Sequence, residues 1–197
     1  MDTLSQDAAA LITALECAPC HFVGLSMGGF VGMRLAARQP ELIKSLILLD
    51  TSAGPEPQEN HGRYGMLNFI ARWFGLGVVM GKVMPIMFGP TFLNDKSRND
   101  ERKFWRKRLA SNHRIGITHA VNGVIRREGV AGELVQIAAP TLIMVGDEDT
   151  ATVPAKSEHL HASIAGSEYV SIKGAGHSST IEQPDAITRE IKRFLVA

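Results

Sequence analysis

Apolar positions recur along the chain with two different periods. Over residues 4–16, Leu4, Ala8, Leu11, Ile12 and Leu15 share one face of a helical repeat, which predicts an amphipathic helix. Thr3 and Gln6 resemble a capping box at its start. Residues 20–23 read as a short buried strand, and residues 28–38 as a helix closed by Gln39-Pro40. The run SLILLD after Lys44 is continuously apolar, the pattern of a strand covered on both faces. Strands alternating with helices predict parallel βα units and an α/β fold.

The alternation stops at about Gly54 and resumes only at Ala139. PEPQENHG is rich in turn formers and reads as a polar linker. Helix-like stretches follow at residues 64–74, 78–88, 101–113 and 117–127, with no comparable strand among them. Met66, Met80, Met84, Met87, Phe69, Trp73, Phe74 and Phe88 give the first two an adaptable apolar surface. Residues 55–133 are therefore expected to form a helical cap inserted between two core segments, 1–54 and 134–197. In the second, PTLIMVG and EYVSI read as strands and residues 156–165 as a helix. Residues 184–195 form a final amphipathic helix, with Ile187, Ile191, Phe194 and Leu195 on one face.

Bulk properties narrow the partners. Of 197 residues 45% are hydrophobic and 21% charged, and the formal net charge is +1. No charge bias points to nucleic acid or anionic lipid. The most apolar stretch, WFGLGVVMG, is stopped by Lys82 and Pro85, too short to span a membrane. The N-terminus lacks a basic start and carries Asp2, Asp7 and Glu16, unlike a secretory signal. A cytoplasmic location is expected. Cys17 and Cys20 form a CxxC pair between a helix and a strand, the reverse of a redox motif's context. They are expected to be two reduced thiols.

The chemistry starts at Gly24-Leu25-Ser26-Met27-Gly28, a GxSxG motif set between a strand and a helix. That is where a nucleophile elbow needs it. The turn is so tight that side chains at the flanking positions are expected to clash. The Met27 N–H, at the helix start, would face an oxyanion formed on attack. A serine needs a base, and the base needs an orienting acid. The order Ser, acid, His predicts both partners in loops after later strands. Only His177, in GAGH after the last strand, has that order and place. His21, His61, His113, His119, His159 and His161 do not. For the acid, Asp147, Glu148 and Asp149 all follow the strand PTLIMVG, and Asp50 ends another.

The stretches FVGLSMGG, RLAARQPELIKSLILLDTSA, APTLIMVGDEDTATVPA and IKGAGHSSTIEQPDAITREIKRFL together resemble the α/β-hydrolase fold family. The likeness is to its esterase, enol-lactonase and cofactor-free haloperoxidase-like members. It implies Asp149, three residues after Gly146, as the acid, with Asp147 next. It implies an acyl-enzyme mechanism on a small-molecule ester or lactone, with no metal or cofactor. Val153-Pro154 departs from the pair of prolines common in the family. Met66, Phe69, Trp73, Met84 and Phe88 are expected to contact substrate from the cap, which suits a small to medium acyl or alkyl group. The basic stretch Lys96, Arg98, Arg102, Lys103, Arg106, Lys107 and Arg108 would either steer a carboxylate-bearing substrate or form a solvated helix face.

The resemblance also implies a shortened sheet. The family nucleophile follows the fifth of eight strands, whereas 25 residues precede Ser26. The chain is expected to hold about four strands, the C-terminal half of the sheet, with the strand at residues 20–23 at an edge. Such an edge favours a homodimer or a partner fragment supplying strands. The loop after the third strand, which carries the second oxyanion donor, would be missing. One such donor is worth about 10²- to 10³-fold in rate. The alternative to a serine hydrolase is therefore a catalytically impaired interaction module.

Overall fold

The computed structural model describes residues 1–196. Helix α1 (Asp2–Ala14) leads into strand β1 (Cys20–Leu25), helix α2 (Met27–Arg38) and strand β2 (Ile43–Leu49). Five helices follow: α3 (Gln58–Phe74), α4 (Leu76–Met87), α5 (Pro90–Asn94), α6 (Asn99–Ala110) and α7 (Arg114–Ile125). The chain then returns through β3 (Thr141–Gly146), α8 (Pro154–Ser163), β4 (Glu168–Ile172), α9 (Ser179–Glu182) and α10 (Pro184–Val196). The four strands form one parallel sheet in the order β1-β2-β3-β4.

The period-two alternation of β2 and β3 divides the core into two layers. Leu46, Leu48 and Ile143 join Phe30, Met33 and Leu35 of α2 and Leu160 of α8 on one face. Ile47, Leu49, Leu142 and Met144 face the other way, against Ile187, Ile191 and Phe194 of α10. Every residue of β3 is buried. Each such Leu or Ile contributes about 1.5–3 kcal/mol on leaving water, so the two central strands anchor the sheet. β1 pairs with β2 alone and leaves Val23 half exposed.

Three local expectations need correction. Helix α1 begins at Asp2 with no side-chain cap from Thr3. The Asp2 carboxylate is held instead by Arg34 (3.0 Å) and Arg38 (2.7 Å) of α2. Helix α3 begins at Gln58, inside the expected linker. The third concerns the elbow. A Cβ at Gly24 would fall on the Gly28 carbonyl, but a Cβ at Gly28 meets nothing within 4 Å. The second close approach is at Gly29, whose Cβ would collide with the Thr51 side chain. No helix among the described residues is long and apolar enough to cross a membrane.

The two flanking glycines should therefore respond differently to alanine. Gly24→Ala should lower stability by about 1–3 kcal/mol through overpacking. Gly28→Ala should stay within about 0.5 kcal/mol of the parent. Urea denaturation of both variants checks this, and equal losses would count against the geometry.

Candidate active site

Parallel pairing brings the C-terminal ends of β1, β2 and β3 to one level, and the loops there converge. Ser26 joins β1 to α2 with φ 50 and ψ −110, a conformation a serine rarely adopts. Two contacts hold it there. Its N–H donates to the Leu49 carbonyl (2.8 Å), and its own carbonyl accepts from the Thr51 hydroxyl (2.8 Å). Strain of this kind persists only where the surroundings over-determine it. The Ser26 carbonyl also accepts from the N–H groups of Gly29 (2.9 Å) and Phe30 (3.2 Å). Met27, the first residue of α2, carries one of the N–H groups that a helix start leaves without an intrahelical partner.

Ser26 Oγ lies 2.9 Å from His177 Nε2, and His177 Nδ1 lies 2.9 Å from Asp149 Oδ2. With the proton on Nδ1, the imidazole donates to Asp149 and accepts from the serine hydroxyl. Asp149 is saturated: Oδ2 also accepts from the Thr152 hydroxyl (2.6 Å), and Oδ1 from the N–H of Ala151 (2.8 Å) and Thr152 (2.9 Å). Burial pushes its carboxyl up, but the His177 imidazole and the Thr152 donors outweigh that and hold it below the usual range. Burial likewise pushes His177 down, and the hydrogen bond and charge of Asp149, with Asp50 and Glu182 further off, raise it overall.

The other acidic candidates hold loops. Asp147 accepts from the Gly174 N–H (2.7 Å). Glu148 binds the N–H (2.9 Å) and the hydroxyl of Thr91. Asp50, itself at φ 46, accepts from the Gly146 N–H (2.9 Å) and the Ser179 hydroxyl.

A family model described as the alpha/beta hydrolase family matches residues 2–190. The chain belongs to the α/β-hydrolase family. Its relatives include hydrolases of several kinds. RutD of Pseudomonas syringae pv. syringae, named as a candidate carbamate hydrolase, is 27% identical over 94% of this chain and 71% of its own length. The enol-lactonase of Burkholderia xenovorans LB400 superposes with a TM-score of 0.89 at 28% identity, covering 100% of this chain and 73% of that one. A thermophilic esterase of Thermogutta terrifontis gives 0.86 at 28% identity, over 97% and 70%.

In this hydrolase-family chain a cavity of about 300 Å³ opens at Ser26 and His177 and runs between the sheet and the helices of residues 58–125. Its wall differs from the expected substrate contacts. Met66, Phe69 and Trp73 point to solvent, because α3 turns Leu67, Asn68 and Ala71 inward instead. Met84 and Phe88 are buried, but against Phe92 and Ile181 rather than in the cavity wall. The basic stretch stays outside as well. Lys103, Arg106, Lys107 and Arg108 are exposed. Arg98 binds Glu101 (2.7 Å) and the carbonyls of Ile181 (3.0 Å) and Glu182 (2.7 Å). Among the described residues no cluster of three His, Cys, Asp or Glu side chains is arranged as a metal-ligand set.

Two supporting residues escaped sequence reasoning. Thr152 fastens Asp149, and only its position three residues downstream hints at that. Glu182, which is buried, accepts from the N–H groups of Gly89 (2.8 Å) and Gly176 (2.9 Å). It ties the His177 loop to the segment before α5, and nothing in its local sequence marks it.

Asp50 sets a pH dependence on the hydrolase's stability. Burial pushes its carboxyl up to about 7, against the lowering pull of Ser179 and the Gly146 N–H. A raised carboxyl binds its proton more tightly in the folded state than in the unfolded one. Its contribution to stability is thus full below about pH 4 and is lost as pH rises through about 7. Urea denaturation at pH 5 and pH 8 should show a smaller loss in Asp50→Asn than in the parent. An equal loss would refute this assignment.

Proposed function

We propose that the chain is a serine hydrolase of carboxylic esters or lactones, with Ser26 as nucleophile, His177 as general base and Asp149 as the orienting acid. One observation carries this reading: the hydrogen-bonded line from Ser26 through His177 to Asp149, already at 2.9 Å in both links. Such reach between nucleophile and base, with the base oriented by a third group, is the arrangement covalent acyl transfer requires. The kinship with esterases and an enol-lactonase supports the substrate class. Residues 55–133 serve as the cap over the cavity. The unpaired thiols of Cys17 and Cys20 suit a reducing compartment, and we place the enzyme in the cytoplasm.

In the first half-reaction Ser26 Oγ attacks the ester carbonyl while its proton passes to His177 Nε2. The carbonyl oxygen becomes an oxyanion next to the Met27 N–H at the start of α2. Asp149 stabilises the imidazolium. The tetrahedral intermediate collapses, the C–O bond breaks, and His177 returns the proton to the departing alkoxide. In the second half water attacks the acyl-enzyme, gives its proton to His177, and releases the acid as Ser26 recovers its hydrogen. The sum is ester plus water to acid plus alcohol. For a lactone, acid and alcohol remain in one molecule.

Treating the purified chain with a fluorophosphonate should give one adduct, on Ser26, absent in Ser26→Ala. No adduct on a folded chain would overturn the reading and favour an interaction module. Asp149→Asn should slow turnover by about 10⁴-fold, by analogy with other Ser-His-Asp sites. Because only neutral His177 can accept a proton, and its folded value is raised, the acid limb of kcat/KM should have its midpoint above about 6.5. A midpoint below that would contradict the electrostatics described.

A further inference from the structure

The cavity wall carries one ion pair and a few polar side chains, among them Tyr64, Asn68, Asn112 and Thr118, but most of its surface is hydrocarbon. Leu76, Val79, Met80, Val83, Leu109 and Ile117 are typical of it. Among the described residues, Arg127 is the only lysine or arginine in the wall. It lies 2.8 Å from Glu56, and both side chains are almost completely buried, at 2% and 6% exposure.

That guanidinium has little left to offer a ligand. Its Nε donates to the Gly54 carbonyl (3.1 Å) and its Nη1 to Glu56 (2.8 Å) and the Val124 carbonyl (2.9 Å). Its Nη2 reaches the Ser52 hydroxyl (3.4 Å). The guanidinium carbon sits 4.3 Å over the Phe30 ring. Glu56 is occupied too, by Asn60 (2.8 Å) on its other oxygen. A substrate carboxylate entering the cavity would lose its water and find the one guanidinium in the wall already neutralised by Glu56. A hydrocarbon group would lose nothing by entering, and each buried methylene is worth roughly fourfold in affinity.

We infer that the site selects uncharged esters with a hydrocarbon acyl group of hexanoyl to octanoyl size, and rejects carboxylate-terminated ones, with Glu56 setting the rejection by neutralising Arg127. A cavity of about 300 Å³ lies at the low end of the range for small-molecule sites, which suits an acyl group of this size. The inference rests on the ester-hydrolase reading and narrows its substrate class.

The test compares p-nitrophenyl esters of acetate, octanoate, hexanoate and adipate, the last carrying a free terminal carboxylate. Octanoate should exceed acetate at least tenfold in kcat/KM, and hexanoate should exceed the adipate ester at least a hundredfold. Glu56→Gln, which leaves Arg127 uncompensated, should narrow the second ratio at least tenfold. Leu109→Trp, which takes up cavity volume, should lower octanoate relative to acetate at least tenfold. If Glu56→Gln does not fold, the parent ratios and Leu109→Trp still decide the matter. Comparable rates on hexanoate and adipate esters in the parent would overturn the inference. A binding arm separates it from the mechanism: Ser26→Ala titrated calorimetrically with methyl octanoate and with monomethyl adipate. Binding of the first alone, with no turnover by the parent, would sink the hydrolase reading and uphold the selectivity. Equal binding of both would sink the selectivity whatever the turnover.

Discussion

The parallel register of β1, β2 and β3 is the constraint on which the site depends. Leu25 lies opposite Leu49, and Leu49 opposite Met144. The ladder then runs one step past the strands. Ser26 N–H donates to Leu49 (2.8 Å), and Asp50 N–H to Met144 (3.0 Å). Backbone hydrogen bonds of the core therefore fix where the serine leaves the sheet. A one-residue slip would turn every β2 side chain to the other face and carry the N–H groups of Ser26 and Asp50 out of line with their carbonyl partners.

Around the loop of His177, buried carboxylates add to the hydrocarbon packing of Phe88, Phe92 and Ile181. Asp50 gathers the end of β3 and Ser179, while Glu182 gathers Gly176 and Gly89. Both hold their protons more tightly than usual because they are buried. Each accepts N–H or O–H groups that would otherwise be left unpaired in a dry place. The loop bearing His177 is thus braced from two sides before any substrate arrives. That preorganisation lets an imidazole sit within hydrogen-bond reach of Ser26.

Much of this was legible in the chain, and the failures have physical causes. The elbow and His177 could be placed because strand, turn and helix signals agree around them. The carboxylate beside His177 was harder to place. Asp147, Glu148 and Asp149 are equivalent as letters, and the turn that gives each a different direction is made by backbone contacts with the loop after β4. α3 misled because Met66, Leu67, Phe69, Ile70, Trp73 and Phe74 share one broad face at helical spacing, yet the cavity takes only its edge at Leu67, and Met66, Phe69, Trp73 and Phe74 stay exposed. Which side is inward depends on where α4 and α7 pack, and a local pattern does not hold that information. The Glu56–Arg127 pair joins residues 71 positions apart in the sequence, so no spacing rule could have found it.

The double duty of Glu182 has a consequence for cooperativity. One carboxylate compensates an amide in the loop of His177 and another at the entrance to α5. Neither amide can open to water without weakening the hold on the other. Arg98 adds two further ties at the same seam. The segments at Gly89 and Arg98 and the loop carrying His177 are thus coupled in local opening, so an excursion that parts this seam also loosens the imidazole.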